Sequence, residues 1–117
     1  MINWKYDISI RIYLKPGPTD MRNSINGLVV IISKFMKFDP FSGYLFLFVN
    51  RKRDLMKLVY WDKNGFALWY KRLEKDKFPW PTTEDKAMEV NFEELKWLLQ
   101  GIDFFHKHKE VKYTVSS

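Results

Sequence analysis

The chain contains no cysteine. Disulfide staples, thiol nucleophiles and zinc sites built on thiolates are excluded with it. Histidine is almost as scarce: His106 and His108 are the two in the sequence, both in a basic C-terminal stretch with no third ligand evident. Five glycines are scattered through 117 residues, too few and too dispersed for a loop that cradles phosphate. No serine or threonine sits in a recognisable nucleophile context. The longest apolar runs, at 28–32 and 44–49, fall far short of the ~20 residues needed to span a bilayer. The opening Met1-Ile2-Asn3-Trp4-Lys5-Tyr6-Asp7 lacks the apolar core of a signal peptide. The expectation is a soluble cytoplasmic protein, not an enzyme, with no metal and no cofactor.

What is present is aromatic and basic. Aromatics make up 18% of the residues and hydrophobics 46%, enough for a core in a single domain of this length. That domain is expected over 1–105, with 106–117 a frayed basic tail. The net charge of +6 favours an anionic partner, nucleic acid first.

The chain reads in order as strand, helix, strands, helix. Residues 8–14 alternate apolar and polar as a half-buried strand does, and Pro16-Gly17-Pro18 ends it. Thr19 or Asp20 is placed to cap a helix, whose apolar stripe is Ile25, Leu28, Val29, Ile32, Phe35 and Met36, ending near Lys37. Gly27 inside it costs about 1 kcal/mol against alanine, so close packing against a strand is expected there. Residues 44–49 are continuously apolar, as in a strand covered on both faces. Residues 55–61 and 66–73 form a hairpin, with Asn64-Gly65 as the pair that accepts positive φ in its turn. Phe66, Leu68, Tyr70 and Arg72 then face one way, and Ala67, Trp69, Lys71 and Leu73 the other. Phe78-Pro79-Trp80-Pro81 is confined to an edge or loop by its prolines. Residues 85–90 add a short strand, Asn91-Phe92-Glu93-Glu94 has the form of a capping box, and Gly101 stops the last helix. The fold class is α+β, with an antiparallel sheet of about four to five strands, one helix after the first strand and a second near the C-terminus.

Two groups of residues are candidate sites. The acids near turns, Asp20, Asp39, Asp54 and Asp62, are explained by turn and cap chemistry. The block Asn50-Arg51-Lys52-Arg53-Asp54 places three cations in a turn between two strands, where forked guanidinium groups can grip phosphate. The bland reading of the same block is a solubilising turn that guards a sheet edge. Lys57, Lys71 and Arg72 come from the neighbouring hairpin, beside Trp61 and Trp69. Rings next to cations can stack bases, although tryptophans in hairpins more often pack cross-strand. Trp61, Trp69 and Trp80 are also the residue type that anchors protein interfaces.

These residues fall into a known pattern. Asp20-Met21-Arg22, Ile25-Asn26-Gly27-Leu28, Asp39-Pro40-Phe41-Ser42-Gly43, the basic block, Tyr60-Trp61-Asp62, Gly65-Phe66 and Leu68-Trp69-Tyr70-Lys71-Arg72-Leu73-Glu74 follow in order. Phe78, Trp80 and Pro81 complete them. Together they resemble the TnpB-type accessory protein of the IS-sixty-six-type insertion sequences, a family distinct from the RNA-guided nuclease of the same name. Asn26 stands where the family usually has an acid, and Leu55 where an extra arginine is common. The resemblance implies a part in transposition beside a separate transposase, and it carries over no catalytic residues. Two readings follow. One is a DNA-binding accessory module working through Arg51, Lys52, Arg53, Lys57, Lys71 and Arg72. The other is an interaction module that contacts the transposase or another accessory subunit through Trp61, Trp69 and Trp80. Single-stranded RNA on the sheet shares the features of the first.

Overall fold

The computed structural model describes residues 10–82 and 86–102. The described elements are β1 (Ile12–Leu14), α1 (Ile25–Lys34), β2 (Leu45–Val49), β3 (Leu55–Asp62), β4 (Gly65–Arg72), β5 (Met88–Val90) and α2 (Phe92–Leu99). The expected tail at 106–117, with His106 and His108, lies outside the described residues.

The five strands form one sheet in the order β4-β3-β2-β1-β5. Three of its four pairings are antiparallel, but β1 and β2 run parallel, with Ile12 opposite Leu45 and Leu14 opposite Leu47. The sheet is therefore mixed, which corrects the antiparallel expectation. The cause is α1. A helix between two neighbouring strands carries the chain back across the sheet, so β2 starts at the end where β1 started. As a consequence, the segment after β1 and the turn after β2 lie at the same end of the sheet.

The run 45–49 is buried at all five positions because both faces of β2 are covered. Leu45, Leu47 and Val49 join Ile12, Leu14, Met56, Leu58 and Tyr60 on one face, beneath Leu95 and Leu98 of α2. Phe46 and Phe48 join Tyr13 and Val59 on the other, beneath Leu28 and Ile32 of α1 and Met36 just beyond it. Alternation along each strand sorts the two sets. Phe78 and Trp80 belong to the α2-side core. Their segment is pinned where Phe78 N donates to Arg53 O (2.7 Å), Trp80 Nε1 to Lys15 O (2.8 Å) and Gly17 N to Pro81 O (2.9 Å).

Local sequence explains most helix ends. Asn91 caps α2 in a capping box: its side chain accepts from Glu94 N (2.8 Å) and Asn91 N donates to the Glu94 carboxylate (2.9 Å). Gly101, at φ 77°, follows the end of α2. For α1 the cap position is Ser24, not Thr19 or Asp20. Thr19 N instead donates to Val49 O (2.7 Å), and the Asp20 carboxylate accepts from Arg22 N (2.9 Å). A bond to a neighbouring strand thus displaces the local cap. The helix stops at Lys34, with Lys37 at φ 64°, and this leaves Phe35 71% exposed. Gly27 answers a crowded neighbour in its own helix approach: a Cβ there would strike the Asn23 side chain. The strand contact expected for it is not what excludes a side chain.

Candidate nucleic-acid interface

The turn that joins β2 to β3 is built by Asn50. Asn50 N donates to Leu55 O (3.0 Å) and Arg53 N donates to Asn50 O (3.0 Å). The Asn50 side-chain oxygen accepts from Asp54 N and Leu55 N (both 3.0 Å), and its amide donates to the Asp54 carboxylate (2.6 Å). Arg53 takes the left-handed conformation, φ 61°. From outside the turn, Phe78 N donates to Arg53 O and Leu73 N to Asp54 O, each at 2.7 Å. The backbone beneath the cations is thus held on both sides.

Arg51 and Lys52 are exposed and Arg53 is half-buried. None of the three side chains makes a hydrogen bond or ion pair among the described residues. Arg72, opposite Leu55, lies at the same end of the sheet. Its pair with Glu74, at 3.2 Å, is exposed on both sides, so it is weak and easily exchanged. The structure therefore gathers Arg51, Lys52, Arg53 and Arg72 at one end of the sheet.

It does not bring Lys57 and Lys71 to them. Lys57 Nζ donates to Met21 O (2.9 Å) and Asn23 O (3.3 Å), which ties the segment before α1 to β3 on the α1 side. Lys71, opposite Met56, points to the other face and donates to Leu99 O (2.8 Å). There it satisfies a carbonyl at the C-terminus of α2, where a cation is favoured. Both are half-buried and engaged by the fold, so one continuous basic face from the turn to the hairpin does not form.

The tryptophans divide as well. Trp80 is 5% exposed with its indole N–H bonded internally, so it is a core residue and not a surface anchor. Trp61 is half-buried, edge-on to Phe66 and to Phe41, each at 5.0 Å. Trp69 is 37% exposed and sits between Leu68 and Tyr70, both also exposed, on the edge strand β4.

Across from the basic turn lies the segment 18–21. Arg22 holds the Asp20 carboxylate by a two-pronged contact, 2.6 Å at its shortest. This hydrogen bonding pulls the Asp20 pKa down from 3.8 to about 2. The organising role of Asn50 was not assigned from sequence, though an Asn at the start of a short turn is a usable signal. Nothing in the sequence around Thr19, a helix-cap candidate, signals its place across from the basic turn.

The model of the IS66 Orf2-like protein family matches residues 10–109. The chain belongs to the IS66 Orf2-like family. This IS66 Orf2-like protein is similar to two Sinorhizobium fredii (strain NBRC 101917 / NGR234) proteins that carry the names "Uncharacterized protein y4hO" and "Uncharacterized protein y4jC". The first is 35% identical over 98 residues, 84% of this chain and 85% of the relative. The second is 36% identical over 104 residues, 88% of this chain and 89% of the relative. No solved structure matches the chain. Membership makes it an insertion-sequence-associated accessory protein. Among the described residues, no helix is long and apolar enough to cross a membrane.

Proposed function

We propose that this IS66 Orf2-like chain is a non-catalytic accessory protein that binds DNA during transposition, through Arg51, Lys52 and Arg53 of the β2–β3 turn with Arg72 beside them. The observation that carries this reading is that the three turn cations are without side-chain partners among the described residues, on a turn whose backbone is fixed by Asn50. Cations presented on rigid backbone keep more of their binding energy than cations on a flexible tail. Each phosphate neutralised releases counterions, so affinity falls with salt at a slope of about −0.9 per contact. The cutting chemistry belongs, in this reading, to the separate transposase.

The test is an anisotropy titration with duplex and single-stranded DNA across a salt series. The expected result is tighter binding at low salt and a reduced slope in Arg51→Gln/Arg53→Gln. Absence of binding at low salt, or a slope unaffected by the substitutions, would remove the proposal.

A second reading draws on the edge strand. Leu68, Trp69 and Tyr70 are consecutive and exposed on a strand whose outer backbone has no neighbour in the sheet among the described residues. Such an edge accepts a strand from a partner, and the transposase is the partner considered. Co-purification with the transposase that is lost in Trp69→Ala, with Trp61→Ala as a second variant, would favour it. Circular dichroism must first show both variants folded.

A further inference from the structure

A cleft of about 540 Å³ separates the segment after β1 from the turn after β2. It sits at the shared end of the parallel pair β1/β2, where the C-termini of both strands open. In sheets with a parallel strand–helix–strand unit, ligands commonly bind outside the carboxyl ends of the strands. One wall carries Thr19 and Asp20, the other Asn50, Arg51, Lys52 and Asp54.

The charges favour an anion. Asp20 is already matched by Arg22 at 2.6 Å, and one Asp54 oxygen is taken by the Asn50 amide. Arg51 and Lys52 set against Asp54 leave one net positive charge facing the cleft. Both walls are fixed in advance. Lys57 holds the carbonyls of Met21 and Asn23, and Asn50 holds the turn.

Thr19 supplies an independent sign of a ligand. The residue is 6% exposed, its amide is fixed to Val49 O, and its hydroxyl oxygen is buried with no hydrogen-bond partner among the described residues. Buried hydroxyls are nearly always paired, and an orphan calls for an explanation. A χ1 step carries the hydroxyl to another staggered position on Cβ, so this oxygen can turn to meet a ligand in the cleft that Thr19 lines.

We propose that the cleft seats one DNA backbone phosphate, gripped by the Arg51 guanidinium and the Lys52 ammonium and receiving a hydrogen bond from the Thr19 hydroxyl. This rests on the DNA-binding reading and assigns the place where the backbone is held.

The test uses the full chain and one duplex in an anisotropy salt series, comparing wild type with Thr19→Val, Thr19→Ser and Arg51→Gln. Thr19→Val is expected to weaken binding about tenfold to a hundredfold, the range of one hydrogen bond to a charged group, with the salt slope unchanged. Thr19→Ser keeps the hydroxyl and is expected to restore affinity. Arg51→Gln is expected to lower the slope by about one. Wild-type affinity in Thr19→Val together with a weakened Arg51→Gln would overturn the cleft assignment while leaving the turn as a DNA contact. Unchanged binding in Arg51→Gln and in Lys52→Gln would overturn both. A second measurement avoids any folding defect in Thr19→Val: amide shifts of the wild-type chain on duplex addition. Shifts at Thr19, Arg51 and Lys52 are expected, and shifts confined to other residues overturn the proposal. Inorganic phosphate, added against a chloride control of equal ionic strength, is expected to shift none of them. Saturable shifts with inorganic phosphate alone would reassign the cleft to a free phosphate and overturn the DNA assignment.

Discussion

At the β2–β3 turn, Arg51 and Lys52 stand exposed and unpaired among the described residues, whereas along the β3–β4 hairpin Lys57 and Lys71 each donate to backbone carbonyls of another element. The two regions are joined by β3, and both carry cations. What differs is what lies over them. The hairpin strands run beneath α1 and α2, whose flanking carbonyls need donors; the turn projects past the end of the sheet, and its Arg51 and Lys52 side chains meet no carbonyl among the described residues. A cation under a helix end is recruited by the fold, and a cation beyond it stays in solvent. Sequence proximity to a basic block is thus poor evidence that a lysine belongs to a binding surface.

Several substitutions would break or sharpen that contrast. The largest expected effect is at the segment that braces both regions. Trp80→Ala should cost about 3–5 kcal/mol in urea unfolding, as large-to-small changes in a packed core do. A stability close to wild type would contradict its burial. Lys57→Met and Lys71→Met should each cost about 1 kcal/mol by leaving part-buried carbonyls without this donor; Lys71→Met should leave DNA affinity per folded molecule unchanged. Loss of affinity in Lys71→Met would return that lysine to the binding surface.

Backbone geometry offers a matched pair. Arg53 in the basic turn and Lys63 in the hairpin turn both have positive φ, 61° and 58°. Arg53→Gly and Lys63→Gly should each stabilise by about 0.5–1 kcal/mol, since glycine takes this conformation without a Cβ penalty. Arg53→Gly alone should weaken DNA binding. Arg51→Gln and Lys52→Gln should leave stability within about 0.5 kcal/mol, as surface changes without partners do. Their expected signature is a shallower salt dependence. The smallest effect concerns Asp20, whose pKa is depressed to about 2 by Arg22. Its ion pair is complete above the ordinary carboxylate value near 4 and is lost as pH falls through about 2. A carboxyl titration by NMR should give that midpoint, and Arg22→Gln should move it back toward 3.8.

Much of this was legible along the chain. The unbroken apolar run at 45–49 announced a strand covered on both faces, and Asn91 with Glu94 announced the start of α2. The alternation of Phe66, Leu68 and Tyr70 against Ala67, Trp69 and Lys71 matches the pairing of β4 with β3. The hairpin turn was misplaced by one residue. Asp62 pairs with Gly65, so Lys63 and Asn64 are the central residues, and Lys63 carries the positive φ. Strand pairing chose that register over the local preference of Asn-Gly. Trp80 looked like an interface anchor because tryptophan serves both purposes; its partner, the carbonyl of Lys15, is 65 residues away.

By itself the sequence determined the element types, the two-sided core, the basic turn and the kinship with the IS66 Orf2-like family, because periodicity, capping and motif order are properties of neighbours along the chain. Tertiary structure alone decided that β1 and β2 run parallel, that Lys57, Lys71 and Trp80 serve the fold, and that Thr19 meets Arg51 and Lys52 across a cleft. Those outcomes depend on hydrogen-bonding groups from distant segments finding one another, and no local pattern records which donor will reach which carbonyl.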